Sequence, residues 1–520
     1  MKYKVSLKLL PIIASLLIGA CSHTNVESSS SEIIPGGEES SQQMSSEPTR
    51  SSEASSASSA KQSSAAQSSA QQSSAISSSA SASSASSSSS EPKPATFKAE
   101  LAVKMPTFLN TTNEYYDLTV DFDDAYFLND AKAYNKDLSM LSLGASVVTG
   151  VEAHETAFLT GANFSDITPY GYDAAPTDNS IGYFLAHKKI DDFELVAVVV
   201  RGFQYGREWS NNFYIGETGD HAGFSLCATE VYTQLQTYVS NKVNNTNLKF
   251  WITGYSRGGA VSNILSHFVL SGDKLAVARS NLFAYTFEAP ACLETAHCVA
   301  YENVFNITNK NDLVALVPPA KFGFGRCGID YQIYDENVSA LMKAFDEKAI
   351  IPDFVAIPKD NEPITNDEEL ANYFLKCAFN KETTNEDEIP WTCNTREEYV
   401  TRYQRAFRNM IGLIFALSEE TRSTIMTDFS NLGFGALSVI ADGEQLANFL
   451  KTYLDKDNVQ YDETVLVEDC TVLTKAIAVL FLEPLLIFGA SNTYRPSLQR
   501  LVAFHYPETE YVLLKNAHSK

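Results

Sequence analysis

The sequence predicts an α/β fold: a mostly parallel sheet with flanking helices and a large helical cap insertion. Three observations predict it. From Ser180 to about Asp330, short apolar runs alternate with helical patterns, as a sheet covered on both faces requires. After about Asp330 only helical patterns remain, until the last thirty residues. Before Ala95 no core can form, because no aromatic residue occurs between Thr24 and Ala95, although the chain as a whole is 44% hydrophobic and 11% aromatic.

Met1 to Ala20 has the form of an export signal, with Lys2, Lys4 and Lys8 ahead of the apolar stretch Leu9–Leu17. Ile18-Gly19-Ala20-Cys21 resembles a bacterial lipobox, so Cys21 is the expected lipid attachment site and the membrane the expected partner. That predicts a lipid-anchored protein at the bacterial cell surface, outside the cytoplasm. Residues 21–95 form the expected tether. Between Ser51 and Ser90, 33 of 40 residues are Ser or Ala, a composition that cannot offset its own backbone entropy by burial. As a flexible coil it would reach roughly 45–50 Å.

The chain carries 63 acids against 39 Lys and Arg, a net charge of −24, most of it after residue 96. No basic footprint exists for nucleic acid. Eight cysteines, one of them Cys21, form no tight framework, and their pairing is not legible. Cys292, His297 and Cys298 lack a second ligand pair at zinc-finger spacing, so neither a metal nor a cofactor is expected. Oligomeric state is silent.

Within the body, residues 96–330 are assigned to the core, 331–490 to the cap, and 491–520 to a returning part of the core. A strand is expected over Glu114–Val120 and a helix over Ala131–Gly150. Ile181–His187 and the β-branched run Leu195–Val200 follow as strands, then Phe250–Thr253, Phe283–Phe287 and Val304–Ile307. Helices are expected over His221–Val239 and Gly258–Leu270. In the cap, Asn337–Lys348, Glu368–Phe379, Arg396–Leu417, Gly443–Leu454 and Val465–Phe488 carry helical patterns. Thr471–Gly489 is apolar, but Lys475, Glu483 and Pro484 favour a buried or lid helix over a membrane span.

The chemistry centres on Gly254-Tyr255-Ser256-Arg257-Gly258-Gly259-Ala260, which follows an apolar strand and opens a helix. A sharp strand-to-helix turn of this kind is the nucleophile elbow of an α/β-hydrolase, and glycines give its backbone room. It exposes the Ser256 hydroxyl at a helix N-terminus, where N–H groups favour developing negative charge. A serine needs a base, and the base an orienting acid, in the chain order Ser, acid, His. Of the four downstream histidines, His267 lies about three turns along the elbow's own helix, out of reach. His297 sits in a Cys-containing loop and His518 two residues from the end of the sequence. His505, after an apolar segment and before Pro507, is the candidate base. Asp312, just past the Val304–Ile307 run, is the candidate acid, and Glu288 its rival.

With these residues in place, the sequence resembles the class 3 (fungal-type) lipase family, and especially its surface-attached bacterial relatives. The matching stretches are Val200-Arg201-Gly202, Asp220–Phe224, the elbow, Thr286–Pro290, Asn311-Asp312 ahead of Pro318-Pro319, and His505-Tyr506-Pro507. The resemblance implies hydrolysis of carboxylic esters or lipids through an acyl-enzyme intermediate. Ser256 would be nucleophile, His505 base and Asp312 orienting acid, with oxyanion donors from the backbone of Phe203 and Arg257. The family usually has a hydroxyl residue where this chain has Phe203, which removes a side-chain hydrogen bond. Two other readings remain: a catalytically weak hydrolase-fold lipoprotein that binds lipids or a surface partner, and a serine hydrolase of amides or peptides.

Overall fold

The structure is a computed structural model. It describes residues 96–107, 115–172, 180–203, 206–275, 277–309, 312, 314–335, 337–345, 395–432, 439, 442–477 and 504–517. The signal and tether, Cys21, Cys377, Cys393, His518, the expected helix at 368–379 and the apolar stretch 478–488 lie outside these residues.

The body begins with a hairpin, β1 (Lys98–Pro106) antiparallel to β2 (Tyr115–Asp123), from Lys98↔Asp123 to Pro106↔Tyr115. Strict alternation turns Leu101, Val103 and Met105 inward. Helices α1 (Lys136–Val148) and α2 (Glu152–Gly161) follow, with Asn135 capping α1 through bonds from the Asp137 and Leu138 N–H groups. The chain then enters the main sheet with β3 (Ser165–Tyr170), β4 (Tyr183–Ile190) and β5 (Phe193–Val200). Helix α3 (Ala222–Lys242), β6 (Leu248–Tyr255), α4 (Arg257–Ser271) and β7 (Leu282–Phe287) come next. The short β8 (Leu293–Glu294), then β9 (Val304–Asn309), β10 (Phe324–Gly325) and β11 (Ile329–Ile333) complete the strands.

The main sheet runs β11-β9-β7-β6-β5-β4-β3. β5, β6, β7, β9 and β11 are mutually parallel, whereas β4 and β3 add an antiparallel edge. Because side chains alternate across a sheet, the same strands feed two cores. Ala197, Val199, Trp251, Tyr255, Phe283, Tyr285 and Phe305 join one core with α1 and the hairpin. Val196, Val198, Val200, Phe250, Ile252 and Ala284 join the other with α3 and α4. Each fully buried large side chain contributes roughly 1.5–3 kcal/mol, so double coverage explains why these strands read as unbroken apolar runs.

The body extends past the expected boundary at residue 331. β11 pairs with β9 from Ile329↔Phe305 to Ile333↔Asn309. Then α5 (Val338–Phe345) buries Val338 and Met342 in the α1 core. As an edge strand, β11 leaves most of its residues at least partly exposed, so it lacks the apolar run that marked its neighbours. Among the described residues the cap starts with α6 (Arg396–Tyr399), which passes through a π-helical turn at Val400–Gln404 into α7 (Arg405–Ala416). It continues with α8 (Glu419–Asn431), α9 (Gly443–Lys456) and α10 (Glu463–Ile477), around a core of its own that includes Met410, Ile414, Leu450 and Leu473. Polar contacts hold it to the loop ahead of α3: Arg396 donates to the carbonyls of Ile215, Gly216 and Gly219, each at 2.8 Å. No helix among the described residues is long and apolar enough to cross a membrane. The chain returns to the body in α11 (Pro507–Asn516), with Pro507 in its first turn.

Candidate active site

The elbow begins where β6 ends. Ser256 has φ 52° and ψ −123°, the left-handed side of conformational space, where a non-glycine residue stores about 1–3 kcal/mol of strain. Two bonds hold it there: the Ser256 N–H donates to Phe287 O at 2.7 Å, and the Ser256 carbonyl accepts from Ala260 at 3.0 Å. The end of β5 presses on this turn. A Cβ on Gly202 would fall 1.7 Å from Tyr255 O, and one on Gly258 would fall 2.3 Å from Val200 O. Only glycine fits at either place.

Asp312 follows β9 and is fully buried. Its N–H donates to Asn309 O at 3.0 Å, and its Oδ1 accepts from the Val314 N–H at 2.8 Å. His505 lies just ahead of α11, its carbonyl accepting from the Tyr255 hydroxyl at 2.9 Å. His505 Nδ1 lies 2.7 Å from Asp312 Oδ2, and His505 Nε2 lies 2.8 Å from Ser256 Oγ. Three residues separated by up to 249 positions thus form one hydrogen-bonded chain. Chemically, it can take a proton from the hydroxyl and hold the resulting imidazolium against a carboxylate.

The rival acid is not the imidazole's partner. Glu288, at the end of β7 with φ 47°, is fully buried and accepts from the Asn309 N–H at 2.7 Å. Its carboxyl also interacts electrostatically with Asp312 and Glu510, the latter on α11. Burial first, then Glu510 and Asp312, push Glu288 well above the usual carboxyl range. Glu510 is likewise pushed up to about 7, chiefly by burial. Burial pushes Asp312 upward too, but His505 beside it and hydrogen bonds from His505 and the Val314 N–H bring it below its ordinary value. Burial thus favours the neutral forms of Glu288 and Glu510, whereas His505 favours the ionised form of Asp312. Sequence reasoning weighed Glu288 but missed Glu510. The available signal was two glutamates, Glu508 and Glu510, in the first turn of an otherwise buried helix.

Arg257 opens α4, with its side chain buried, and Phe203 lies just past β5, its ring edge-on to Tyr255 at 6.1 Å. The remaining histidines and cysteines among the described residues lie elsewhere. His221 caps α3, accepting from the Phe224 N–H at 3.4 Å, and burial lowers it to about 3. His267 bonds the Tyr301 hydroxyl at 3.1 Å, and His297 bonds Asp220 at 2.8 Å. Cys227, Cys292, Cys298, Cys327 and Cys470 are free thiols. Among the described residues no group of three or more His, Cys, Asp or Glu side chains is placed to hold a metal ion.

The family described as Lipase (class 3) matches residues 197–322, the span from β5 through the elbow to the acid. A secreted mono- and diacylglycerol lipase of Fusarium solani is 28% identical over 152 residues, 26% of this chain and 43% of that protein. A lipase of Rhizomucor miehei is 29% identical over 160 residues, 28% of this chain and 44% of that protein. The chain therefore spans less than half the length of these curated relatives. A solved Rhizomucor miehei lipase–propeptide complex aligns with TM-score 0.31 and 20% identity, over 39% of this chain and 71% of that one. The elbow and the acid both lie inside the span that matches the class 3 lipase family.

Proposed function

We propose that this protein is a serine hydrolase of carboxylic esters, a lipase or esterase working through an acyl-enzyme intermediate. One observation carries the reading: the unbroken chain Ser256 Oγ–His505 Nε2 at 2.8 Å and His505 Nδ1–Asp312 Oδ2 at 2.7 Å. Ser256 Oγ attacks the ester carbonyl carbon while His505 Nε2 takes its proton. The carbonyl oxygen becomes an oxyanion facing the backbone N–H groups of Phe203 and Arg257. Collapse expels the alcohol, which takes the proton from His505. Water then attacks the acyl-Ser256 ester, again through His505, and the free acid leaves. Asp312 keeps the imidazole in the tautomer with Nε2 free to accept. The names of the Fusarium and Rhizomucor relatives favour glyceride esters as substrate class.

The lipobox-like Cys21 and the Ser/Ala-rich stretch support a surface protein held to the cell membrane by lipid. Phe203 in place of a hydroxyl residue favours the second reading, a weak hydrolase that mainly binds lipid. A fluorophosphonate probe with a short-chain aryl ester assay tests the proposal. The expected result is labelling and turnover in wild type and neither in Ser256→Ala; lipid binding without labelling would favour the second reading. Faster cleavage of an aryl amide than of the matching ester would move the assignment to amides.

A further inference from the structure

One arginine immediately follows β5 and another immediately follows Ser256, and the two are buried against one carboxylate. Arg201 immediately precedes Gly202-Phe203, and Arg257 immediately follows Ser256. Glu208, in the short 3-10 segment Arg207–Phe213, is 1% exposed. Its Oε1 accepts from Arg201 Nη2, and its Oε2 lies 3.6 Å from Arg257 Nη1. Both guanidinium groups make further contacts. Arg201 Nη2 reaches Gly171 O at 3.4 Å, with its guanidinium 4.7 Å from the Tyr172 ring. Arg257 Nη2 reaches Ser180 O at 2.9 Å and Cys227 Sγ at 3.2 Å.

The geometry points to Glu208 as a positioning residue for the oxyanion hole: one buried carboxylate that holds, through Arg201 and Arg257, the two backbone arms carrying the hole's donors. The inference rests on the ester-hydrolase reading and deepens it. The two arms belong to different elements, and their backbones approach closely at Gly202 and Gly258. Their relative placement therefore depends on whatever ties the side chains behind them. A carboxylate with one oxygen hydrogen-bonded to Arg201 and the other ion-paired with Arg257 at 3.6 Å sets that spacing. The local charge favours the same outcome: two cations against one anion leave this wall net positive beside a developing oxyanion. This preorganisation acts where Phe203 provides no side-chain hydroxyl.

The test compares full-length wild type, Glu208→Gln and Glu208→Asp, with Glu217→Gln, in the loop that follows this segment, as a control; Glu217 is exposed. Glu208→Asp keeps the charge that lets both arginines stay buried, so it folds even if Glu208→Gln does not. With a p-nitrophenyl ester, kcat falls roughly 10–100-fold in the Glu208 variants while KM stays within about 3-fold. Inhibition by an alkyl boronic acid, whose Ser256 adduct carries the tetrahedral oxygen, weakens by the same factor as kcat/KM. Glu217→Gln matches wild type. Unchanged kcat in a folded Glu208→Asp, or equal loss in kcat and in ground-state affinity, overturns the positioning role while wild-type turnover leaves the hydrolase reading intact. A wild type that neither turns over nor labels removes the reaction, and the role of Glu208 with it.

Discussion

The two walls on either side of Ser256 carry opposite charge. Behind His505 lie Asp312, Glu288 and Glu510, all fully buried, with Glu508 beside them on α11. Behind the elbow lie Arg201 and Arg257 against the single carboxylate Glu208. In the proposed reaction a proton moves toward the acidic wall while negative charge grows toward the basic one. The difference teaches that this site separates charge along a field already built into the fold, so little reorganisation is required when the proton transfers. It also shows how the acidic wall survives burial: it stays partly protonated, whereas the basic wall is satisfied by a bridging carboxylate.

The largest break in this comparison is Asp312→Asn. The amide cannot stabilise the imidazolium and favours the wrong tautomer, so kcat falls by about 10⁴-fold with little change in folding, read by steady-state kinetics beside thermal melting. A smaller effect sharpens the acidic wall. Glu510 sits near 7 when folded and near the ordinary glutamate value when unfolded, so the folded state binds the extra proton between those values. Its stabilising contribution is complete at low pH and fades as pH rises toward about 7, by roughly 3 kcal/mol for a shift of this size. Glu510→Gln cannot lose that proton. Its melting temperature relative to wild type should climb between pH 5 and pH 8; a flat difference would show that the proton resides elsewhere. The smallest effect is Tyr255→Phe, which removes the hydroxyl bond to the His505 carbonyl. About 1 kcal/mol of stability and a 2–5-fold drop in kcat are expected.

The contrast between the walls also explains what the sequence made legible. Ser256, Asp312 and His505 could be read because each sits where strand-to-loop chemistry has a local signature: a glycine-flanked turn, a polar stretch after an apolar run, a histidine before proline. The central strands were legible because both their faces are covered. Glu288, which also follows an apolar strand, was weighed as the acid; Glu208 had no such signature, and Glu510 only its place in the first turn of α11. A buried glutamate looks like a surface glutamate until the chain folds around it, and only tertiary contacts reveal which are inside. The same reason hid β11, whose exposure follows from its edge position; β1 does carry the alternation, with Leu101, Val103 and Met105 inward and Lys98, Glu100 and Lys104 outward. The helix α2 was missed because only Phe158 and Leu159 mark its apolar face, its other buried side chain being Glu155.

The central claim is that His505 makes Ser256 a nucleophile. Rapid acid quench of the protein with an aryl ester, followed by peptide mass mapping, tests it most directly. The account predicts an acyl group on Ser256 that accumulates in wild type and is lost in His505→Ala. Wild-type turnover by Ser256→Ala, or an acyl group carried by any other residue, would contradict it.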